Sequence, residues 1–127
     1  MNCNAIISNE WLKKVFEYLQ YYAVGFEQIV VDRTVGTGIM MDEFKDVESY
    51  LYQILCETHF AMQAKHVKPD ADVLRDVMSH EYREIEDASR RDVRDYIILR
   101  EYIAATDFIV KLFEYLKSAA ETTESTE

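Results

Sequence analysis

The chain has little that bends or staples a backbone: three glycines, one proline and two cysteines in 127 residues. So few breakers cannot supply the many tight turns of a sandwich or barrel. Cys3 and Cys56, with no spaced Cys/His cluster around them, exclude a disulfide scaffold and a zinc knuckle. Buried or idle thiols in a reducing compartment are the expectation. No apolar run approaches the roughly 18 residues that span a bilayer. Met1 to Glu10 has no basic start followed by an apolar stretch, so no secretory signal is expected there and the expected location is cytoplasmic. Positive charge is scarce too. Fourteen basic residues against 24 acidic ones leave a net charge of −10. That balance argues against a generally basic nucleic-acid binder and against a protein held to anionic membranes by charge.

What the chain does have is apolar periodicity. Hydrophobic residues make up 49%, which excludes wholesale disorder. Ser8-Asn9-Glu10 reads as an N-cap and first turn. Trp11, Leu12, Val15, Phe16, Leu19 and Tyr22 follow at helical spacing. Gly25 ends or weakens this helix, and the β-branched Ile29-Val30-Val31 reads as its continuation to about Asp32, since a lone strand has no partner. Gly36-Thr37-Gly38 is the clearest loop. Asp42 is expected to cap a second helix reaching about His66. Pro69 suits the first turn of a third, striped by Val73, Val77, Tyr82 and Ile85. From Ser89 or Arg90 to Lys117 a fourth helix carries two apolar rows, implying a wide buried face. The expected fold is all-α: a four-helix bundle, mostly antiparallel, as a single domain over 1–118. The segment 119–127 is small, polar and acidic and is expected to be a disordered tail.

Several chemistries are excluded by spacing. None of His59, His66 and His80 follows a glutamate by three, so the di-iron bundle pattern is missing and neither metal nor cofactor is expected. Cys56 and His59 share one helical face, but nothing in the sequence orients the imidazole, and a core role for the thiol is expected. No phosphate-cradling glycine loop is present. Tyr18, Tyr21 and Tyr22 read as packing residues rather than a base-stacking platform.

One segment carries more. Residues 74–82 read Leu-Arg-Asp-Val-Met-Ser-His-Glu-Tyr, so Arg75, His80 and Tyr82 form an Arg-x4-His-x-Tyr pattern. This resembles the signature of the HEPN superfamily, in detail its HepT toxin branch, whose motif has the form Arg-Asn-x-x-x-His-x-Tyr. Asp76 stands in the asparagine position. The resemblance implies a compact helical bundle, a homodimer that brings two motifs into one cleft, and a metal-independent endoribonuclease with Arg75 and His80 as the catalytic pair. It also implies a nucleotidyltransferase-fold antitoxin as partner, able to adenylylate the motif tyrosine, here Tyr82.

On their own terms the residues suit that chemistry. An imidazole titrating near neutrality transfers protons, and a guanidinium clamps phosphate. Asp76, four residues before His80, would orient it on a regular helix. Arg75 and His80 are about 140° apart on such a helix, so either it bends near Ser79 or two copies meet. Six arginines and seven acids fall in 75–100, a balance of −1. Arg83, Arg90, Arg91 and Arg94 are therefore candidate phosphate contacts for RNA. The plain alternatives are an Arg75 pairing with Asp72 or Asp76, an idle His80 at an interface, a core Tyr82, and arginines in i,i+4 pairs such as Glu86–Arg90 and Asp87–Arg91. Two functions follow. One is a HEPN-like ribonuclease toxin. The other is a non-enzymatic acidic interaction protein (a small chaperone, a phage or host regulator, or a nucleic-acid mimic) that binds a basic protein.

Overall fold

A computed structural model describes residues 3–36, 38–70 and 72–125, with side chains described except at 3–8, 116 and 119–125. The fold is all-α, with four α-helices and no strand among the described residues. Helix α1 spans Cys3–Val35, α2 Met41–Ala64, α3 His80–Arg83 and α4 Ala88–Ser125. The helices are unequal. Three are long, whereas α3 is a single turn preceded by a 3-10 turn at Arg75–Val77.

The β-branched stretch after Gly25 is helix, as periodicity suggests, and α1 begins before Ser8, which places Ser8-Asn9-Glu10 inside it rather than at its cap. Asp42 does not cap α2; Met40 holds that position at φ 57°, and Asp42 and Glu43 occupy the first turn, where carboxylates favour the helix dipole. The loop before it turns on Gly38 at φ 69°. At the far end His66 takes φ 59°. The Val67 N–H reaches back to the Met62 carbonyl at 2.8 Å, which stops the helix in the manner of a left-handed cap. At the C-terminus α4 runs on to Ser125, so residues 119–125 of the expected tail have helical backbone; residues 126–127 lie outside the described ones. Adding residues to an established helix costs little when they include Ala119, Ala120 and Glu121.

Helix α1 is the hub. Its number rises as that of each long neighbour falls, so both pairings are antiparallel. Phe26 meets Phe44 of α2 while Phe16 stacks on His59. Against α4, Trp11 meets Phe113 edge-on at 4.3 Å, Tyr22 meets Tyr102, and Gly25 faces Ile98. A Cβ on Gly25 would stand 3.1 Å from the Ile98 Cγ2, so glycine here permits the close approach of the two helices. Val15, Leu19, Phe26, Ile29, Phe44, Leu51 and Tyr102 form the main core where the three long helices converge.

The expected third bundle helix is absent as a continuous element, and geometry explains why. Helix α2 ends beside Leu12, where Met62 and Val67 pack, and α4 starts beside Asp32. The connection must travel about 20 residues of α1, or roughly 30 Å. A helix over 73–85 would advance only about 20 Å. Extended stretches cover the distance instead. The Val73 N–H donates to Gln20 on the way, and Pro69 sits in non-helical backbone rather than at a helix start.

The landing point of that crossing is a buried ion network. Arg94, 6% exposed, donates to Asp32 at 2.5 Å, to Asp95 at 2.8 Å and to the Tyr82 carbonyl at 2.7 Å. Asp95, 2% exposed, also accepts from Arg33 at 3.0 Å, and Arg33 lies over the Phe44 ring. Removing one partner of a buried pair leaves an uncompensated charge, typically about 3–5 kcal/mol. Arg94→Ala should lose stability of that order in urea denaturation. A loss below about 1 kcal/mol would mean that the network is ornamental.

Candidate functional site

The crossing segment carries every residue of the Arg-x4-His-x-Tyr pattern, but not on one helix. The backbone is extended at Met78 (φ −91°, ψ 110°) and at Ser79 (φ −62°, ψ 155°). The break falls where a bend was needed to relate Arg75 to His80. It also removes the i,i+4 relation of Asp76 to His80. His80 instead meets Glu84, the next acid one turn on, at 3.3 Å through Nε2. Arg75 pairs with Glu27 on α1 and not with Asp72 or Asp76. Asp76 and Tyr82 are exposed. Arg75 and His80 thus each meet a separate carboxylate, Glu27 and Glu84.

The four candidate phosphate arginines have separate fates. Arg94 is spent in the buried network and is a structural cation, not a surface clamp. Arg91 donates to the carbonyls of Ile85 and Glu86, both at 2.9 Å, instead of pairing with Asp87. Asp87 caps α4 through the Ser89 N–H at 3.0 Å. Arg83 is half-buried, with its Nε lacking a hydrogen-bond partner. Arg90 is exposed and lines a groove. There is a reason for this pattern: a chain that leaves the helix frees carbonyls, and Arg91 and Arg94 satisfy the ones at 82, 85 and 86.

That groove, about 1170 Å³, lies between α1, α4 and the crossing segment. It is lined by Gly25, Ile97, Ile98 and Val93 and by Tyr18, Tyr21, Tyr22 and Tyr82. Tyr18 and Tyr21 are 54% and 42% exposed, so they are not the packing residues that their spacing suggested. Glu81, Glu101 and Arg90 are also among its lining. Tyr22 donates to the Glu101 carbonyl at 3.3 Å. Burial, reinforced by the Glu101 carboxylate, holds its phenol above the ordinary tyrosine range, so it stays a neutral donor. Cys56 is exposed on α2 rather than buried, and His59 is turned away to stack on Phe16. Among the described residues no three His, Cys, Asp or Glu side chains gather as a metal site, and no helix is long and apolar enough to cross a membrane.

Sequence reasoning missed the acids and the second arginine of the network. A signal was available: Asp32-Arg33 in α1 and Arg94-Asp95 in α4 are mirror-image dipeptides, which face each other when two helices run antiparallel. It also missed Glu27, which no local spacing links to Arg75.

A second acidic spot sits where α1, α2 and the crossing segment meet. Burial and then the neighbouring Glu27 push the Glu48 carboxyl up, opposed by a hydrogen bond from Tyr52. The same site raises the Tyr52 phenol, against the pull of Arg75. A carboxyl raised in the folded state stabilises fully below its unfolded value and loses that contribution as pH rises through the folded one. Ionised Glu48 therefore costs stability at neutral pH. Glu48→Gln should raise the urea midpoint at pH about 7, and the gap should close below the carboxylate range, about pH 4. Midpoints that keep a constant gap across that range would contradict the assignment.

No family model, curated protein or solved structure matches the chain. The HEPN resemblance is carried by residues 74–82.

Proposed function

We propose that this protein is a non-enzymatic acidic interaction module that seats an amphipathic, basic helix of a partner protein in the α1–α4 groove. The observation that carries this reading is the groove itself: an open, tyrosine-lined apolar trough of about 1170 Å³ running between two antiparallel helices, with Glu81, Glu101 and Arg90 among its lining. Helix-in-groove recognition lays the apolar face of a helix into such a lining. A net charge of −10 steers a lysine- or arginine-rich partner toward the molecule and slows acidic ones. The buried cation nearest the groove, Arg94, is already neutralised by Asp32 and Asp95, so it does not repel such a helix.

Titration with a Leu/Lys amphipathic helical peptide, followed by calorimetry, tests this. Binding should weaken as salt rises, and a Leu/Glu peptide of the same pattern should not bind. Ile97→Asp in the groove lining should weaken binding about tenfold or more with helicity unchanged. Equal affinity of the two peptides, or indifference to Ile97→Asp, would sink the reading.

A second reading, a metal-independent endoribonuclease of HEPN type, draws on one placement. Ser79 and Tyr82 of the motif segment line the groove, and His80 is solvent-exposed beside them with only an exposed contact to Glu84 to break. In it Arg75 exchanges Glu27 for a phosphate, His80 transfers the proton, and Tyr82 offers its hydroxyl to a nucleotidyltransferase-fold antitoxin. Expression of wild type beside Arg75→Ala and His80→Ala, scored for growth arrest and RNA cleavage, decides it. Intact RNA with wild type ends the ribonuclease reading, and equal toxicity of His80→Ala ends the site assignment.

A further inference from the structure

We infer that a second copy of this chain covers the outer face of α4, packed antiparallel about a two-fold axis beside Ile103. The face is distinct from the groove: the groove is lined on α4 by Val93, Arg94, Ile97, Ile98 and Glu101, whereas Tyr96, Ile103 and Val110 recur every seven residues on another side. These three are 63%, 57% and 54% exposed. A seven-residue apolar repeat keeps one face turned toward a helical neighbour, and a helix apolar on several sides is ordinarily buried on them. Here α1 and α2 cover only the side bearing Ile98, Leu99, Tyr102 and Ile109.

Charge selects a second copy as the occupant, and selects its direction. Residues 88–118 hold six basic and five acidic side chains, a balance of +1, in a protein of net charge −10. The acidity lies elsewhere, so two α4 faces meet without the repulsion that the whole molecules would feel. With the axis beside Ile103, Tyr96 of one copy lies opposite Val110 of the other, and Arg100 lies within one residue of level with Asp107 of the other on the same flank, twice over by symmetry. A parallel pairing would put Arg100 of one copy and Asp107 of the other on opposite flanks of the seam, where they could not pair. Within one chain these two charges make exposed contacts: Arg100 to Glu101 at 3.3 Å and over the Tyr96 ring at 6.0 Å, and Asp107 to Lys111 at 2.9 Å. Such pairs are weak and exchange readily. The resemblance in residues 74–82 implies a dimer that joins two motifs; this one joins the side of α4 that does not line the groove with the motif segment, and it stands or falls independently of the groove.

Light scattering on the eluting full chain tests it, with far-UV circular dichroism on each variant. Wild type should have twice the mass of one chain at micromolar concentration. Ile103→Asp should elute as one chain with unchanged helicity. Arg100→Asp and Asp107→Arg should each raise the dimer dissociation constant about tenfold, and the two together should restore it. Should Ile103→Asp unfold, the charge variants carry the test. A wild type that stays at the mass of one chain at about 100 μM, a concentration that fills any dimer with micromolar affinity, overturns the inference. So does an Ile103→Asp protein that folds and still pairs, and a double charge variant as weak as the singles overturns the antiparallel register.

Discussion

Arg94 sits where α1, α4 and the crossing segment meet, and its guanidinium binds one group from each. Asp32 belongs to α1, Asp95 to α4, and the Tyr82 carbonyl to the single turn between them. Arg33 extends the network from Asp95 to the Ile39 carbonyl and the Phe44 ring, which ties in the start of α2. Arg94 and Asp95 are buried and Arg33 and Asp32 half-buried; the two arginines and two aspartates balance in charge, and their donors have acceptors except the Arg33 Nε. An apolar contact at this point would hold the helices together but would tolerate a slip of one turn. The network does not, because a slip would leave a buried charge unpaired. The register of α1 against α4, and with it the groove between them, depends on this arrangement.

The crossing segment is the second consequence. It has to travel the length of α1, so it abandons helical hydrogen bonding and gives its freed carbonyls to Arg91 and Arg94. These arginines lie in the richest cationic stretch of the chain, yet much of that charge is engaged in holding backbone. The segment that would have been a fourth bundle helix instead leaves one flank of α1 and α4 open. The tyrosine-lined groove and the exposed apolar rows of α4 are the surfaces left uncovered by a bundle completed on one side only.

Much of the fold is legible in the residues. The heptad-like apolar spacing from Trp11 to Tyr22 and from Phe44 to Met62 marks helices whose faces meet as spacing requires. The shortage of glycine and proline disfavours the many tight turns of a β fold. The third helix was misread because Val73, Val77, Tyr82 and Ile85 have helical spacing without helical continuity; periodicity is blind to the distance a connection must cover. The same blindness affects the site. Asp76 lies four residues from His80, but that spacing makes neighbours only on an unbroken helix, and Met78-Ser79 breaks it. Glu27 lies 48 residues from Arg75 and became its partner through the path of the chain.

The sequence by itself determined the all-helical class, the three long helices, the acidity and the local arginine cluster, because these follow from composition and from contacts within a few residues. Tertiary structure alone decided which apolar rows of α4 are covered, which arginines are structural, and that Arg75 and His80 each face a carboxylate of their own. The reason is physical. Periodicity shows that a face would be stable when buried, but burial needs a neighbour, and the neighbour is supplied by the route the chain takes between helices.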